Sequence, residues 1–384
     1  MRIGLVAGEA SGDVLGAGLI RALADRFSDV RFEGVAGPEM IAAGCEPWAE
    51  AEELAVMGLI EPLREIPRLL RLRRSLIARW RASPPDVFVG IDAPDFNLGL
   101  EKRLRRSGIR TVHYVSPTVW AWRPGRIESV RKAADRVLCI LPFEQSLYDS
   151  KGIDAVFVGH PRADSLSTEH DTETLKRALG VDPGERLVAV LPGSRSGEIA
   201  RLGPVFAGAA KRLAAADPSL QFVLPVAAPR LREPMLAYLE SAGVGDRFTV
   251  TDGGSESAMA AADVVMLASG TAALEAALLC KPMVAAYKVS YFSATIFRLF
   301  RLLKLDYVTM PNLLTETPLV PECIQEQATP QRVADEVQAL LEDPARREGI
   351  ARRFAKLRSE LALNANDRAA DAVAALVESD DTRI

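Results

Sequence analysis

Three histidines and four cysteines in 384 residues leave little material for metal or disulfide chemistry. Cys45, Cys139, Cys280 and Cys323 lie far apart along the chain, and none forms the close pair that a zinc site or a thioredoxin-like centre requires. Free thiols in a reducing compartment are expected. Neither charge sign dominates, the formal net charge being −4, which argues against a dedicated nucleic-acid binder. Long hydrophobic runs are missing as well: the opening stretch MRIGLVAGEASGD has only a short apolar run before Gly8 and Glu9, too short for a signal h-region or a membrane span. A cytoplasmic protein is the expectation. No Asp-x-Asp pair occurs, so a metal-bridged nucleotide-sugar site of that type finds no support, and neither metal nor cofactor is expected.

What the sequence does have is length and rhythm. A chain of this size fits two domains. Short apolar, often β-branched runs (Ile3–Ala7, Phe32–Ala36, Val87–Ile91, Thr111–Val115, Val137–Leu141, Val156–Val158) alternate with helix-length amphipathic stretches, the pattern of a parallel sheet wrapped by helices. After His160 and Pro161 a polar stretch, RADSLSTEHDTET, carries no strand pattern. The rhythm then restarts at Leu187–Leu191, Phe222–Pro225, Phe248–Val250, Val264–Leu267 and Met283–Ala286. The fold class expected is therefore α/β with two Rossmann-like lobes, residues 1–165 and 175–345. The tail, 346–384, reads as helices whose apolar stripe needs a surface, on the first lobe or on a second copy in a homodimer.

In open parallel sheets ligands sit beyond the carboxyl ends of the strands, where helix N-termini offer unpaired N–H groups. Three such corners are rich in Gly and Ser: AGEASGD after the first strand, LPGSRSGE after the first strand of the second lobe, and ASGTAALE further on. Two of them share a lobe, and Gly193, Ser194 and Arg195 together with Ser269, Gly270 and Thr271 suggest a diphosphate site. Backbone amides approach the oxygens while the guanidinium adds a charge-assisted contact. Tight turns alone are the competing explanation. Glu275, one turn past Thr271, offers two acceptor oxygens of the kind a ribose would meet, or simply a charge favoured in a first helical turn. A dinucleotide reading of Gly16–Gly18 fails, because a third glycine is missing and the second strand ends in AGPEM without an acidic ribose hook.

A general base belongs in PDVFVGIDAPDFN, where Asp92 ends a strand and Asp95 follows across Pro94. His113, in HYVSPTVWAWRPGR, is a further candidate to orient a base or touch a phosphate, or else a satisfied core histidine; Trp120, Trp122, Arg123 and Arg126 follow it. Two basic, apolar-rich stretches, 62–81 and 291–304, read either as surface helices burying one face or as helices lying in the interface of an anionic membrane.

Taken together, VAGEASGD, GVAGPEM, ELAVMGLIE, PDVFVGIDAPDFN, HYVSPTVWAWR, LPFE, LPGSR, LASGTAALE and DYVTMPNLL closely resemble the lipid-A-disaccharide synthases, bacterial glycosyltransferases of the two-lobed GT-B type with sheets facing a cleft. The resemblance runs to about residue 314. It implies transfer of 2,3-diacylglucosamine from its UDP conjugate to the 6-hydroxyl of diacylglucosamine 1-phosphate, with inversion and release of UDP, at the cytoplasmic face of the inner membrane. Position by position it implies Asp92 as base, Arg195 on the diphosphate, Ser269–Thr271 and Glu275 around UDP, and Asn312 as a further nucleotide contact. Ser11, Gly12 and Asp13 would face the acceptor. The rivals are another UDP-sugar enzyme of this fold, such as a hexosamine epimerase or a peptidoglycan-precursor glycosyltransferase, and a nucleotide-binding membrane adaptor without turnover.

Overall fold

Strands buried on both faces, such as VFVGI and LVAVL, need a helix layer on each side. In the computed structural model, which describes residues 1–54, 61–120, 125–167, 169–289 and 307–378 (61–65 as backbone alone), that requirement is met twice. The basic stretch 291–304, Trp122, Arg123 and most of ELAVMGLIE lie outside the described residues. Unit 1 comprises residues 1–164 and the tail from Leu361; unit 2 runs from Ser165 to Glu360.

Unit 1 is a parallel sheet of β1 (Arg2–Ala7), β2 (Arg31–Ala36), β3 (Cys45–Glu50), β4 (Val87–Ile91), β5 (Arg110–Tyr114), β6 (Arg136–Cys139) and β7 (Ala155–Phe157), in the order β3-β2-β1-β4-β5-β6-β7. Side chains alternate across it. Ile3, Leu5, Val87, Val89 and Ile91 share one core with Leu19 and Leu23 of α1 (Ala10–Arg26) and Ala369 and Val373 of the final helix, Ala365–Glu378. Arg26 fastens that helix to α1 through Asp367 at 3.2 Å and Asp371 at 2.8 Å. A short helix, α2 (Pro38–Ala42), follows β2. On the other face Val6 and Phe88 pack with Leu76, Ile77 and Trp80 of α3 (Glu61–Ala82) and Phe96 and Leu100 of α4 (Pro94–Arg105).

Of the two readings of 62–81, a helix burying one face against its own lobe describes the C-terminal half. Leu69 and Leu72, the heart of the supposed membrane-facing stripe, lie against that same core, and Trp80 is fully buried. Ile66, nearer the start of α3, is exposed, as are Arg71, Arg74, Arg79 and Arg81. No described helix is long and apolar enough to cross a membrane.

Unit 2 repeats the plan with β8 (Leu187–Leu191), β9 (Gln221–Val226), β10 (Phe248–Asp252), β11 (Val264–Ala268), β12 (Met283–Tyr287) and β13 (Glu322–Ile324), ordered β10-β9-β8-β11-β12-β13 and all parallel. In each unit the chain begins mid-sheet, winds to one edge, then returns across its first strand to build the other half. The reversal leaves a crevice between β1 and β4 and another between β8 and β11, the switch points where such sheets bind ligands.

Candidate functional site

At the unit 2 switch point two corners leave the sheet side by side, since Leu191 and Leu267 are paired in register. After β8 the chain turns at Gly193, whose φ of +121° is one that L side chains rarely adopt, and enters the helix Ser196–Ala216. After β11 it passes Ser269 and Gly270 into the helix Thr271–Leu278. Gly193–Arg195 and Ser269–Thr271, more than seventy positions apart by number, thus meet at one sheet edge.

Their occupancy differs from the expectation in one respect. Glu198 folds back on the first corner: its Oε2 accepts from the amides of Ser194 at 3.0 Å and Arg195 at 3.3 Å. Two amides expected to cradle a diphosphate already hold a carboxylate. The Arg195 guanidinium stays 72% exposed, 3.5 Å from that carboxylate, so its charge is available to solvent-borne anions. The Ser269 hydroxyl donates to the Val308 carbonyl at 3.1 Å and its amide to Ala286, making it a brace for the corner. Gly270 and Thr271 are exposed, and the amides of Thr271 and Ala272 have no acceptor within their own helix. Glu275 is half-buried in that helix.

Tyr287, at the end of β12, escaped the sequence reading. Its phenol is held above its ordinary value by burial and then by the charge of Glu198, with Arg195 and Arg201 opposing. Arg201 itself ties the helix to the Lys288 carbonyl at 2.8 Å. Asn312 needs correction: it is buried, donates to the Val320 carbonyl at 2.8 Å and Glu322 at 2.9 Å, and accepts from the Leu319 and Val320 amides. Its side-chain amide is fully used in closing its own loop and leaves no donor or acceptor for a nucleotide.

At the unit 1 switch point Asp92 follows β4, beside the loop after β1. The loops touch: a Cβ at Gly8 would lie 2.4 Å from the Ala93 methyl. Asp92 and Ala93 both have left-handed backbone, φ 51° and 42°, and Val115 at the end of the neighbouring strand has φ 77°. Strained backbone of this kind persists only where its surroundings enforce it, and it concentrates at functional sites. The enforcement comes from Asn97, fully buried one turn into α4, whose Nδ2 donates to the carbonyls of Asp92 (2.9 Å), Ile91 (3.3 Å) and Val6 (3.3 Å). Asp92 is half-buried, and its own amide donates to Tyr114 at 2.8 Å. Asp95 is exposed and paired with Arg126.

Three acceptor-side expectations change. Asp13 is 3% exposed and its carboxylate accepts from the amides of Gly37, Glu39 and Met40 at 2.9–3.0 Å; it caps α2. Gly12 is buried inside the first turn of α1. His113 points beneath the sheet, fully buried, its Nδ1 2.7 Å from Glu101, whose carboxyl burial pushes up while His113 draws it down. Ser11 remains exposed, on the first turn of a 17-residue helix whose start lies near Ile91 and Ala93, the neighbours of Asp92. Among the described residues no group of His, Cys, Asp and Glu is arranged to hold a metal ion.

Solved structures resemble the fold at low identity. UDP-GlcNAc 2-epimerase from Neisseria meningitidis, bound to UDP-GlcNAc, superposes with TM-score 0.68 at 14% identity over 97% of this chain and 99% of that one. A glycosyltransferase from Rickettsia africae gives TM-score 0.61 at 10% identity over 98% of each. Sequence relatives are much nearer. The lipid-A-disaccharide synthase of Aeromonas hydrophila is 47% identical over 98% of both chains, and that of Alkalilimnicola ehrlichii matches to the same degree and extent. A family model described as lipid-A-disaccharide synthetase matches residues 3–376. With the doubly wound units of a GT-B enzyme and a match spanning nearly its whole length, the chain belongs to the lipid-A-disaccharide synthase family of glycosyltransferases.

Proposed function

We propose that this enzyme joins two acylated glucosamines, transferring 2,3-diacylglucosamine from its UDP conjugate to the 6-hydroxyl of 2,3-diacylglucosamine 1-phosphate with inversion at the anomeric carbon. The observation that carries the reading is Asp92, a half-buried carboxylate on strained backbone at the unit 1 switch point. In the proposed step the acceptor hydroxyl gives its proton to Asp92 as its oxygen bonds to the sugar C1. The bond from C1 to the diphosphate breaks, and the electron pair leaves with UDP. Charge developing on that leaving group is met by Arg195 and by the first-turn amides at Thr271 and Ala272. A base so placed contributes ~10²–10⁴-fold. The N-terminus of α1, at Ser11, favours an anion such as the acceptor's phosphate.

Both substrates carry acyl chains, so the enzyme works against a membrane surface, in this reading the cytoplasmic face of the inner membrane. Incubation with the two diacylated substrates and detection of UDP and disaccharide tests the activity. Asp92→Ala should retain UDP affinity while losing ~10²-fold or more in kcat; undiminished turnover would remove Asp92 from the mechanism.

A further inference from the structure

The arginines that α3 leaves outside are not scattered. Arg74 and Arg81, with Ile77 and Ala78 between them, line a cavity of about 380 Å³ whose opposite wall is Arg103 and Arg106 from the end of α4. Both helices run back against the strands they flank, so their C-terminal halves, and the cavity, lie toward the sheet edge opposite Asp92. Arg81 is steadied by Ser107, its Nε donating to the hydroxyl at 2.8 Å.

Arg73 lies half-buried nearby, its guanidinium 5.9 Å from the centre of the Phe96 ring. Its guanidinium is driven below its ordinary value by burial and then by the like charges of Arg103 and Arg74, and its buried Nε has no hydrogen-bond partner among the described residues. No described carboxylate forms an ion pair with Arg73, Arg74, Arg103 or Arg106, while elsewhere on the same unit Arg26, Arg105, Arg126 and Arg136 all have acidic partners. Like charges gathered without a counter-ion repel one another, and an arginine wall is the arrangement that meets phosphate oxygens in a fixed donor fork.

We propose that this arginine-lined cavity between α3 and α4 is a binding site for a phosphate group, carried either by the headgroup of an anionic lipid or by a free phosphate. The site is separate from the catalytic assignment and stands or falls without it. One or two phosphates fit the volume, and the apolar floor at Ile77 suits the carbon side of an ester.

The test uses the full-length protein and two probes. One is sedimentation with vesicles of phosphatidylglycerol in phosphatidylcholine, against pure phosphatidylcholine. The other is calorimetric titration with inorganic pyrophosphate in saturating UDP, which occupies the diphosphate corner proposed at Arg195. Arg103→Gln with Arg106→Gln removes one wall of exposed side chains; Lys211→Gln with Arg212→Gln removes the same charge from two exposed positions on a helix of unit 2. Matched thermal melts establish that each pair is folded. The expected result is about 30-fold weaker binding for the first pair, from ~1 kcal/mol per basic side chain, and binding like the parent for the second. Loss seen with vesicles alone identifies a lipid headgroup, and loss extending to pyrophosphate identifies a free phosphate. Equal binding by both pairs in both assays, or equal weakening by both pairs, overturns the site and leaves only diffuse charge attraction.

Discussion

Removing the Asn97 amide should damage turnover more than stability. Its two N–H hydrogens serve three carbonyls, those of Asp92, Ile91 and Val6, so the net contribution is about that of two hydrogen bonds, ~2 kcal/mol. Against it stand two non-glycine residues in left-handed backbone, Asp92 and Ala93, each costing ~1–2 kcal/mol. In Asn97→Ala the turn is free to relax, and the strain released offsets much of the bonding lost. Carbonyls left without a donor add a penalty that the released strain offsets only in part, so the expected fall in unfolding free energy is about 1–3 kcal/mol. The relaxation, however, moves the Asp92 carboxylate, and a displacement of about 1 Å can cost ~10²-fold in rate. Denaturant unfolding gives the first quantity. Steady-state release of UDP gives the second, expected as a fall in kcat with KM for the UDP-sugar nearly unchanged. Asn97→Asp sharpens the contrast, because a carboxylate facing three carbonyls cannot donate and should destabilise more than alanine. A folded Asn97→Ala enzyme with unchanged kcat would refute the reasoning.

Other predictions rest on single contacts. Burial holds the Glu144 carboxyl up at about 7, despite hydrogen bonds from Trp120 and the Leu141 amide. Its folded value lies above the ordinary one, so its stabilising contribution is whole below pH 4.5 and lost as pH rises through 7. Unfolding free energies of the parent and Glu144→Gln, compared at pH 4.5 and pH 8, should diverge by up to ~3 kcal/mol, with the parent losing stability relative to the variant; parallel curves would show that Glu144 titrates normally. Leu72→Ser should lower the urea midpoint by ~2 kcal/mol or more in equivalent free energy, since Leu72 packs inward against the Trp80 core. An unchanged midpoint would return that residue to the surface. Glu198→Gln, by removing a negative charge from the corner that holds Arg195, should tighten UDP binding up to ~5-fold in calorimetry; weaker binding would mean that Glu198 shapes the loop rather than competing with the ligand.

Much of this molecule is written in local pattern. The strands of both sheets show as apolar runs between amphipathic stretches because parallel strands are buried on both faces, and Val87–Ile91 and Leu187–Leu191 have the limits that the pattern assigns. Strands β3 and β13 escaped for a matching reason. CEPWAE is an edge strand with half its residues exposed and a proline among them, and ECI has three residues at the other sheet's border. The Gly and Ser corners are legible because glycine at positive φ and small residues at helix starts have few other uses.

Side-chain direction was decided by tertiary structure. Nothing in the local sequence distinguishes an Asp13 that caps α2 from one that faces a ligand, because its three amide partners lie 24 to 27 positions away. The same holds for His113, turned under its strand to Glu101, and for Asn312, consumed by its own loop. Leu69, Leu72 and Trp80 of α3 could not be assigned to the core until the sheet beneath them was in place. Sequence alone determined the architecture and family, since burial periodicity and ordered motifs are local properties. Which polar groups stay free to act was settled only by folding, because a hydrogen-bond donor or acceptor satisfied across the fold is no longer available to a substrate.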